Sequence, residues 1–313
     1  MKMAFLYAGQ GSQHVGMGKD LYEEYEEFRK AFDAGRLPFD RKTLCFEESG
    51  GLLNQTSYTQ PCMVAFAVGM TAVLASKGIL PDVCAGLSLG EYSALAAAGV
   101  FTAAEAIELA AFRGQAMTKA AVGIESGMTA VLRLSEEKLE ACCKQAMEEE
   151  PKAGLVQICN YNCPGQLVIG GTAKAVARAS ELAKEAGAMK CLPLAVSGPF
   201  HTPYMKEAGE ALAEHFREIE FRSMQVPVLF NTLGREKMEL DSIPDLLVRQ
   251  VQSSVRMEQI LRRLPKLGVD TVVEIGPGKA LSGFVRKTLG KQVTCYSVET
   301  VGDVEKLAGE LKY

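Results

Sequence analysis

The pentapeptide Gly86-Leu87-Ser88-Leu89-Gly90 leaves this chain few folds to choose from. A short apolar run, Val83-Cys84-Ala85, leads into it, and a helix-forming run, Glu91 to Ala98, leads out. That is the sequence form of a nucleophile elbow, in which a strand ends, turns sharply and becomes a helix within a few residues. Side chains two residues either side of the serine would collide in so tight a turn, so both positions need glycine. The turn exposes the serine Oγ and puts the N-terminus of the following helix beneath it, where backbone N–H groups can stabilise a developing oxyanion. With 30 glycines in the chain, the bare pentapeptide could also be a simple turn. The strand before it and the helix after it assign Ser88 as a nucleophile.

Around the elbow, apolar strands alternate with helical segments. Phe5-Leu6-Tyr7 reads as a first strand, Asp20 to Phe32 as a helix, and Gln60 to Lys77 as an apolar helix with Pro61 near its start. Thr102-Ala103-Ala104-Glu105 is a capping box that opens a helix to about Ala121. Later come a helix over Lys206 to Arg217 and strands at Pro227 to Phe230, Thr271 to Ile275 and Val293 to Val298. Gly276-Pro277-Gly278 opens a helix that reaches Leu289. Such alternation predicts a hydrolase-like α/β fold with a parallel sheet flanked by helices.

The middle of the chain changes rhythm. Gly127 to Leu134 is a strand, Ser135 caps a helix to Glu149, Gly154 to Cys159 is a strand, and Asn162-Cys163-Pro164-Gly165 is a turn. Gln166 to Ile169, Thr172 to Ala186 and Met189 to Leu194 then read as strand, helix and strand. The order βαββαβ is the ferredoxin-like pattern. The expected organisation is therefore a discontinuous larger subdomain, residues 1–122 and 197–313, with a smaller one inserted at 123–196.

Composition removes other classes. Net charge is −4 with no block of Lys or Arg, which gives no support to nucleic-acid or membrane binding. No apolar run approaches the roughly 20 residues of a membrane span. The apolar N-terminal stretch, ended by Gly9-Gln10-Gly11, is too short for a secretion signal. Nine cysteines is an odd number, and Cys45, Cys62, Cys84, Cys142, Cys143, Cys191 and Cys295 lie in apolar segments, as suits buried, reduced thiols in a cytoplasm. Cys159 and Cys163 have neither a second pair nor a nearby histidine, so no metal site is expected.

A serine hydroxyl needs a base. Three histidines are available. His201 sits on the Gly/Pro-flanked loop Ser197-Gly198-Pro199-Phe200-His201-Thr202-Pro203, His14 follows another glycine-rich turn, and His215 lies beside Glu214 in a helix and reads as a solvated surface residue. Serine before histidine matches the hydrolase order, which favours His201 with His14 as its rival. No carboxylate announces itself as a third member. Ala8-Gly9-Gln10-Gly11-Ser12-Gln13 is either a tight strand-to-helix turn or the source of a second oxyanion donor. It is not a dinucleotide fingerprint, because His14 stands where the third glycine should be. Arg113, at the end of a stretch carrying Ile107, Leu109 and Phe112 on a largely buried helix, either snorkels to water or holds an anion.

Over nearly its whole length the chain resembles the malonyl-CoA:acyl carrier protein transacylase family, the acyltransferases of fatty-acid and polyketide synthesis. The likeness runs through Gly9-Gln10-Gly11-Ser12-Gln13, Gly86 to Leu95, Arg113-Gly114-Gln115-Ala116-Met117 and Asn160 to Gln166. It continues in Pro199-Phe200-His201-Thr202, Gln250 to Arg256 and Glu274 to Gly278. The resemblance implies that Ser88 is acylated and His201 is its base. It implies that the backbone N–H groups of Gln10 and Leu89 form the oxyanion hole, that Arg113 pairs with the malonyl carboxylate, and that the backbone carbonyl of Gln250 orients the imidazole in place of an Asp. It implies ping-pong transfer of malonyl from malonyl-CoA to the phosphopantetheine thiol of acyl carrier protein, by a cytoplasmic monomer with no cofactor beyond the CoA substrate. A serine esterase or thioesterase on the same elbow, or an acyltransferase serving a polyketide pathway, are the alternatives. Three positions depart from the family: Leu87 replaces its usual His, Ser254 stands where Pro is frequent, and Thr118 where Gln is common. Phe200 before His201 follows the malonyl-type pattern. Arg286, Lys287, Lys291 and Lys190 are candidates for docking an acidic carrier protein.

Overall fold

The computed structural model describes residues 1–47 and 50–311. Its strands are β1 (Met3–Tyr7), β2 (Val83–Gly86), β3 (Ser126–Leu132), β4 (Val156–Cys163), β5 (Gln166–Thr172), β6 (Lys190–Pro193), β7 (Val228–Phe230), β8 (Arg235–Glu236), β9 (Thr271–Ile275) and β10 (Thr294–Val298). They form a six-stranded sheet in the order β10-β9-β1-β2-β7-β8 and a four-stranded sheet in the order β4-β5-β3-β6. The larger sheet is parallel except at its edge, where the two-residue β8 runs antiparallel to β7.

Both faces of the larger sheet are covered, which explains why its strands are apolar without alternation. Phe5 and Tyr7 join one core with Cys84, Phe230 and Val273, while Ala4 and Leu6 join another with Val83, Ala85 and Leu229. The register sets Tyr7 beside both Gly86 and Ile275. The C-terminal ends of β1, β2 and β9 are therefore level, and the loops after them open on one edge. That edge is where open α/β sheets bind ligands.

The smaller sheet is antiparallel throughout, with the strand order of the ferredoxin-like fold. Helices Glu136–Glu149 and Ala173–Glu185 supply Leu139 and Ala179 to a core shared with Val131, Val156 and Ile169 of the strands. Each helix starts as its sequence predicts: Ser135 Oγ accepts the N–H of Lys138 and Thr172 Oγ1 that of Ala175. The Thr102–Glu105 capping box is present in both directions.

Several elements differ from expectation. The helix expected over 20–32 is two, Lys19–Glu24 and Glu26–Phe32, broken by extended Tyr25, whose hydroxyl donates to Glu305 Oε1 at 2.6 Å. The apolar helix begins at Thr56 and ends at Ser76, so Pro61 falls inside it, and at 21 residues it is long and apolar enough by length and composition to cross a membrane. Its apolarity is that of a core helix: Phe66, Met70 and Val73 are fully buried, and it packs between helices Glu26–Phe32 and Ala103–Ala120. Strand β4 runs on to Cys163, leaving only Pro164 and Gly165 for the turn. The nine cysteines are free thiols, but Cys191 and Cys295 are only half-buried. Helices Ile243–Gln250, Met257–Arg263 and Val301–Glu310 were not foreseen, although the last carries a capping box, Thr300 with Asp303.

Candidate active site

The elbow forms because only glycines fit around Ser88. A Cβ on Gly86 would lie 2.0 Å from the Gly90 carbonyl carbon, and one on Gly90 would lie 2.2 Å from the Tyr7 carbonyl oxygen. Ser88 itself is held in the left-handed region, at φ 52°. Its Oγ lies 2.7 Å from His201 Nε2. His201 Nδ1 lies 2.8 Å from the backbone oxygen of Gln250. A carbonyl only accepts, so Nδ1 carries the hydrogen, Nε2 offers its lone pair, and the Ser88 hydroxyl donates to it. Gln250 is the last residue of helix Ile243–Gln250, where carbonyls have no intrahelical partner and are free to take such a bond.

Arg113 is 1% exposed. Its Nη1 donates to Gln60 Oε1 at 2.8 Å, and its Nη2 to Gln250 Oε1 at 2.9 Å and to Ser88 Oγ at 3.0 Å. These acceptors are all neutral, and Nε has no partner among the described residues. The guanidinium also lies 5.5 Å from the Tyr92 ring centroid. The snorkelling alternative is thus excluded, because the cation ends inside the protein beside the nucleophile.

Burial pushes the His201 imidazole down to about 4, and the Arg113 charge adds to the effect. Burial likewise pushes the Glu91 carboxyl up to about 8, against the opposing pull of the Asn231 N–H and of Arg113. Burial thus favours the neutral form of both groups, while the Arg113 guanidinium sits among neutral hydrogen-bond acceptors.

A cavity of about 180 Å³ opens on Ser88. Gly9, Gln10, Leu87 and Leu89 line it from the larger sheet's loops, Met128, Asn160, Asn162 and Val168 from the smaller sheet, and Phe200 from the loop before His201. The N–H groups of Gln10 and Leu89 donate to no acceptor among the described residues. Asn162 is buried, and its Oδ1 has no partner among the described residues. The Gln10 side chain donates to Thr56 Oγ1 at 3.0 Å, which fixes the loop after β1.

The structure brings His201, and not His14, to the serine. His14 Nε2 pairs instead with Glu299 Oε1 at 2.5 Å on the surface. His215 is half-buried and stacks on Phe112 with ring centroids 4.0 Å apart, so it is not a freely solvated residue. Ser254 Oγ donates to Ile158 O at 2.7 Å, which ties the loop after Gln250 to β4 without a proline. Leu87 turns the family's polar position into apolar cavity wall. Gln60, Glu91, Asn231 and the side chain of Gln250 were missed. An acid inside the apolar run after the elbow was the available signal for Glu91, and an Asn directly after β7 was the signal for Asn231.

Residues 4–312 match the acyl transferase domain family. The chain is 42% identical over 288 residues to the malonyl CoA-acyl carrier protein transacylase of Bacillus subtilis, covering 91% of this chain and 90% of that one. The crystal structure of the malonyl CoA-acyl carrier protein transacylase from Clostridium perfringens superposes with a TM-score of 0.94 at 38% identity, covering 100% of this chain and 98% of the other. A malonyl-transacylase in complex with its type II PKS acyl-carrier protein superposes with a TM-score of 0.93 at 34% identity, covering 99% of this chain and 100% of that one. By sequence and by structure, this chain belongs to the malonyl-CoA:acyl carrier protein transacylases of the acyl transferase family.

Proposed function

We infer that the chain moves a malonyl group from malonyl-CoA to the phosphopantetheine thiol of acyl carrier protein by way of a malonyl–Ser88 ester. The observation that carries this is Arg113, a buried cation with neutral partners only, 3.0 Å from the nucleophile. It supplies a ready site for the free carboxylate of malonyl, and a serine esterase has little use for it.

In the first half-reaction His201 Nε2 takes the Ser88 proton as Oγ adds to the thioester carbonyl. The N–H groups of Gln10 and Leu89 are the donors for the resulting oxyanion. The intermediate collapses to the ester, and CoA leaves as a thiol with the proton that His201 held. The carrier thiol reverses the sequence. The Gln250 carbonyl keeps His201 in the required tautomer throughout. Because a guanidinium only donates, its bond occupies a lone pair of Ser88 Oγ in the free enzyme. A substrate carboxylate that engages Arg113 competes for that donor and leaves Oγ freer to attack. Asn162 Oδ1 offers an acceptor to an amide N–H of the pantetheine arm.

The working unit is one chain, since every group invoked comes from it, divided into subdomains 1–122 with 197–313 and 123–196. Nine free thiols favour a reducing cytoplasm. Docking of an acidic carrier falls to the patch around Lys287, which reaches Gln166 Oε1 at 2.9 Å. Gln166 and Lys190 flank Leu132 on its two neighbouring strands, so the patch spans both sheets' surroundings. Likeness to the transacylase bound to a type II PKS carrier favours, as a second reading, a carrier of a polyketide pathway.

The test is to incubate the protein with malonyl-CoA, digest it, and search for malonate on the Ser88 peptide, then to add carrier protein. The ester forms in the wild type, is absent in Ser88→Ala, and is discharged by carrier thiol faster than by water. Discharge by water alone would make the protein a thioesterase.

A further inference from the structure

The groups that act on the acyl substrate leave one buried cluster unexplained. Asn231 follows β7 and is fully buried. Its Oδ1 accepts the N–H of Ser88 at 2.6 Å, and its Nδ2 donates to the carbonyl of Gly86 at 2.7 Å. Its own backbone N–H donates to Glu91 Oε2 at 2.6 Å. Glu91 is fully buried on the first turn of the helix that leaves the elbow. One amide side chain thus holds the end of β2 and the strained serine together, and one carboxyl on the elbow helix holds that amide.

We propose that Asn231, seated by Glu91, is a positioning residue for the nucleophile: it fixes the left-handed Ser88 and commits its N–H, so that the elbow presents the Leu89 N–H to the oxyanion. The inference rests on the reading of Ser88 as the acylated residue. A non-glycine residue at positive φ persists only where its surroundings over-determine it. Here the N–H of Ser88 is taken by Asn231 and its carbonyl by Gln250 Nε2 at 2.9 Å. The N–H of Leu89, with no acceptor among the described residues, is the one left to serve the reaction. Tight packing alone would bury an asparagine here, but it would not direct both ends of its amide at the two backbone groups that bracket Leu87.

The experiment uses Asn231→Ala, Glu91→Gln and Glu91→Leu, with three measurements: the single-turnover rate of Ser88 malonylation at saturating malonyl-CoA, the KM for malonyl-CoA, and labelling of Ser88 by an uncharged fluorophosphonate. The fluorophosphonate reads the nucleophile without the malonyl site. A mispositioned reacting atom costs on the order of 10–100-fold. Asn231→Ala is expected to lose about that much in both acylations while KM changes little, because Arg113 keeps Gln60 and Gln250 as partners that do not depend on Ser88. Glu91→Gln retains an oxygen for the Asn231 N–H and is expected to acylate about tenfold faster than Glu91→Leu, which has none. Malonylation and labelling of Asn231→Ala at wild-type rates would overturn the proposal, as would a KM that rises in step with the lost rate. Should Asn231→Ala not fold, equal rates in the two Glu91 variants overturn it. Wild-type labelling by fluorophosphonate without any malonyl ester would instead sink the acyl-transfer reading and leave the positioning role standing.

Discussion

Arg113→Ala should change what the enzyme accepts more than how fast it works. The wild-type guanidinium makes three hydrogen bonds, to Gln60, Gln250 and Ser88. Truncation removes all three from the free enzyme, the common starting state for every acyl substrate, so their loss there cancels when kcat/KM is compared between two substrates. What does not cancel is the free carboxylate of malonyl, which is left in the cavity without a cation. Breaking a desolvated charge pair costs about 2–5 kcal/mol. At 1.4 kcal/mol per factor of ten, malonyl should lose about 30-fold to several-thousand-fold relative to acetyl. Arg113→Lys should fall between, because an ammonium keeps the charge but cannot serve Gln60, Gln250 and a carboxylate with one planar fork. The assay is kcat/KM for malonyl-CoA and acetyl-CoA, read as acyl–Ser88 formation by intact-protein mass spectrometry. Melting temperature is the control, since the Gln60 and Gln250 oxygens lose their donors. If both substrates fall by the same factor, Arg113 is a structural cation and the physical argument for malonyl fails.

Three further expectations follow from the geometry. His201 must be neutral to act as a base, and with its folded value down at about 4, kcat/KM for Ser88 acylation should stay level from pH 7 to about 5 and break near 4. The same depression means that the unfolded chain binds the proton first, so stability falls as pH drops from 6.5 towards 4; an activity limb at 6.5 would contradict the burial argument. Charge reversal at Arg286 and Lys287 should raise the apparent KM for carrier protein severalfold at low salt and leave malonylation of Ser88 unchanged, and an unaltered KM removes the patch. Gly90→Ala should lower both melting temperature and Ser88 acylation sharply, because its Cβ would meet the Tyr7 carbonyl oxygen at 2.2 Å; normal values of both would show that the elbow tolerates a side chain.

Local rules made much of this protein readable in one dimension. The elbow needs its two glycines because backbone atoms almost touch across it, and that need is written within five residues. The caps at Thr102 and Ser135 were legible because a cap and its partner lie three residues apart, and the helix after Thr172 was legible as a helix. So was the βαββαβ order of the smaller sheet, which depends on periodicity alone. Helices Ile243–Gln250 and Met257–Arg263 span only eight and seven residues, too few for a period to stand out by eye, although the first opens on Ser242, whose Oγ accepts the Asp245 N–H in the same three-residue cap spacing.

The site was only half legible, for a reason of distance. A motif can say that Ser88 is a nucleophile, but it cannot say which histidine arrives, because His14 and His201 both lie on loops of suitable composition. Tertiary structure chose His201 by placing it 2.7 Å from Ser88 and giving His14 to Glu299. Nor could any local rule show that a helix-end carbonyl would meet the imidazole where an aspartate might be expected, since every residue carries a carbonyl and only the fold sets the one at Gln250 beside His201. Arg113 was visible as a cation at the end of a largely apolar stretch of helix. Whether it reached water or an inner cavity depended on the helices that close over it, and they leave it facing Gln60, Gln250 and Ser88. Asn231 could be marked by its place directly after β7, but its role could not be read, because its partners Ser88 and Gly86 are 143 and 145 residues away in sequence and meet it only when β2 and β7 pair. The sequence by itself determined the turn, the caps and the succession of strands and helices, which are set by neighbours along the chain; only the fold decided strand pairing, burial, tautomer and charge state, which are set by neighbours in space.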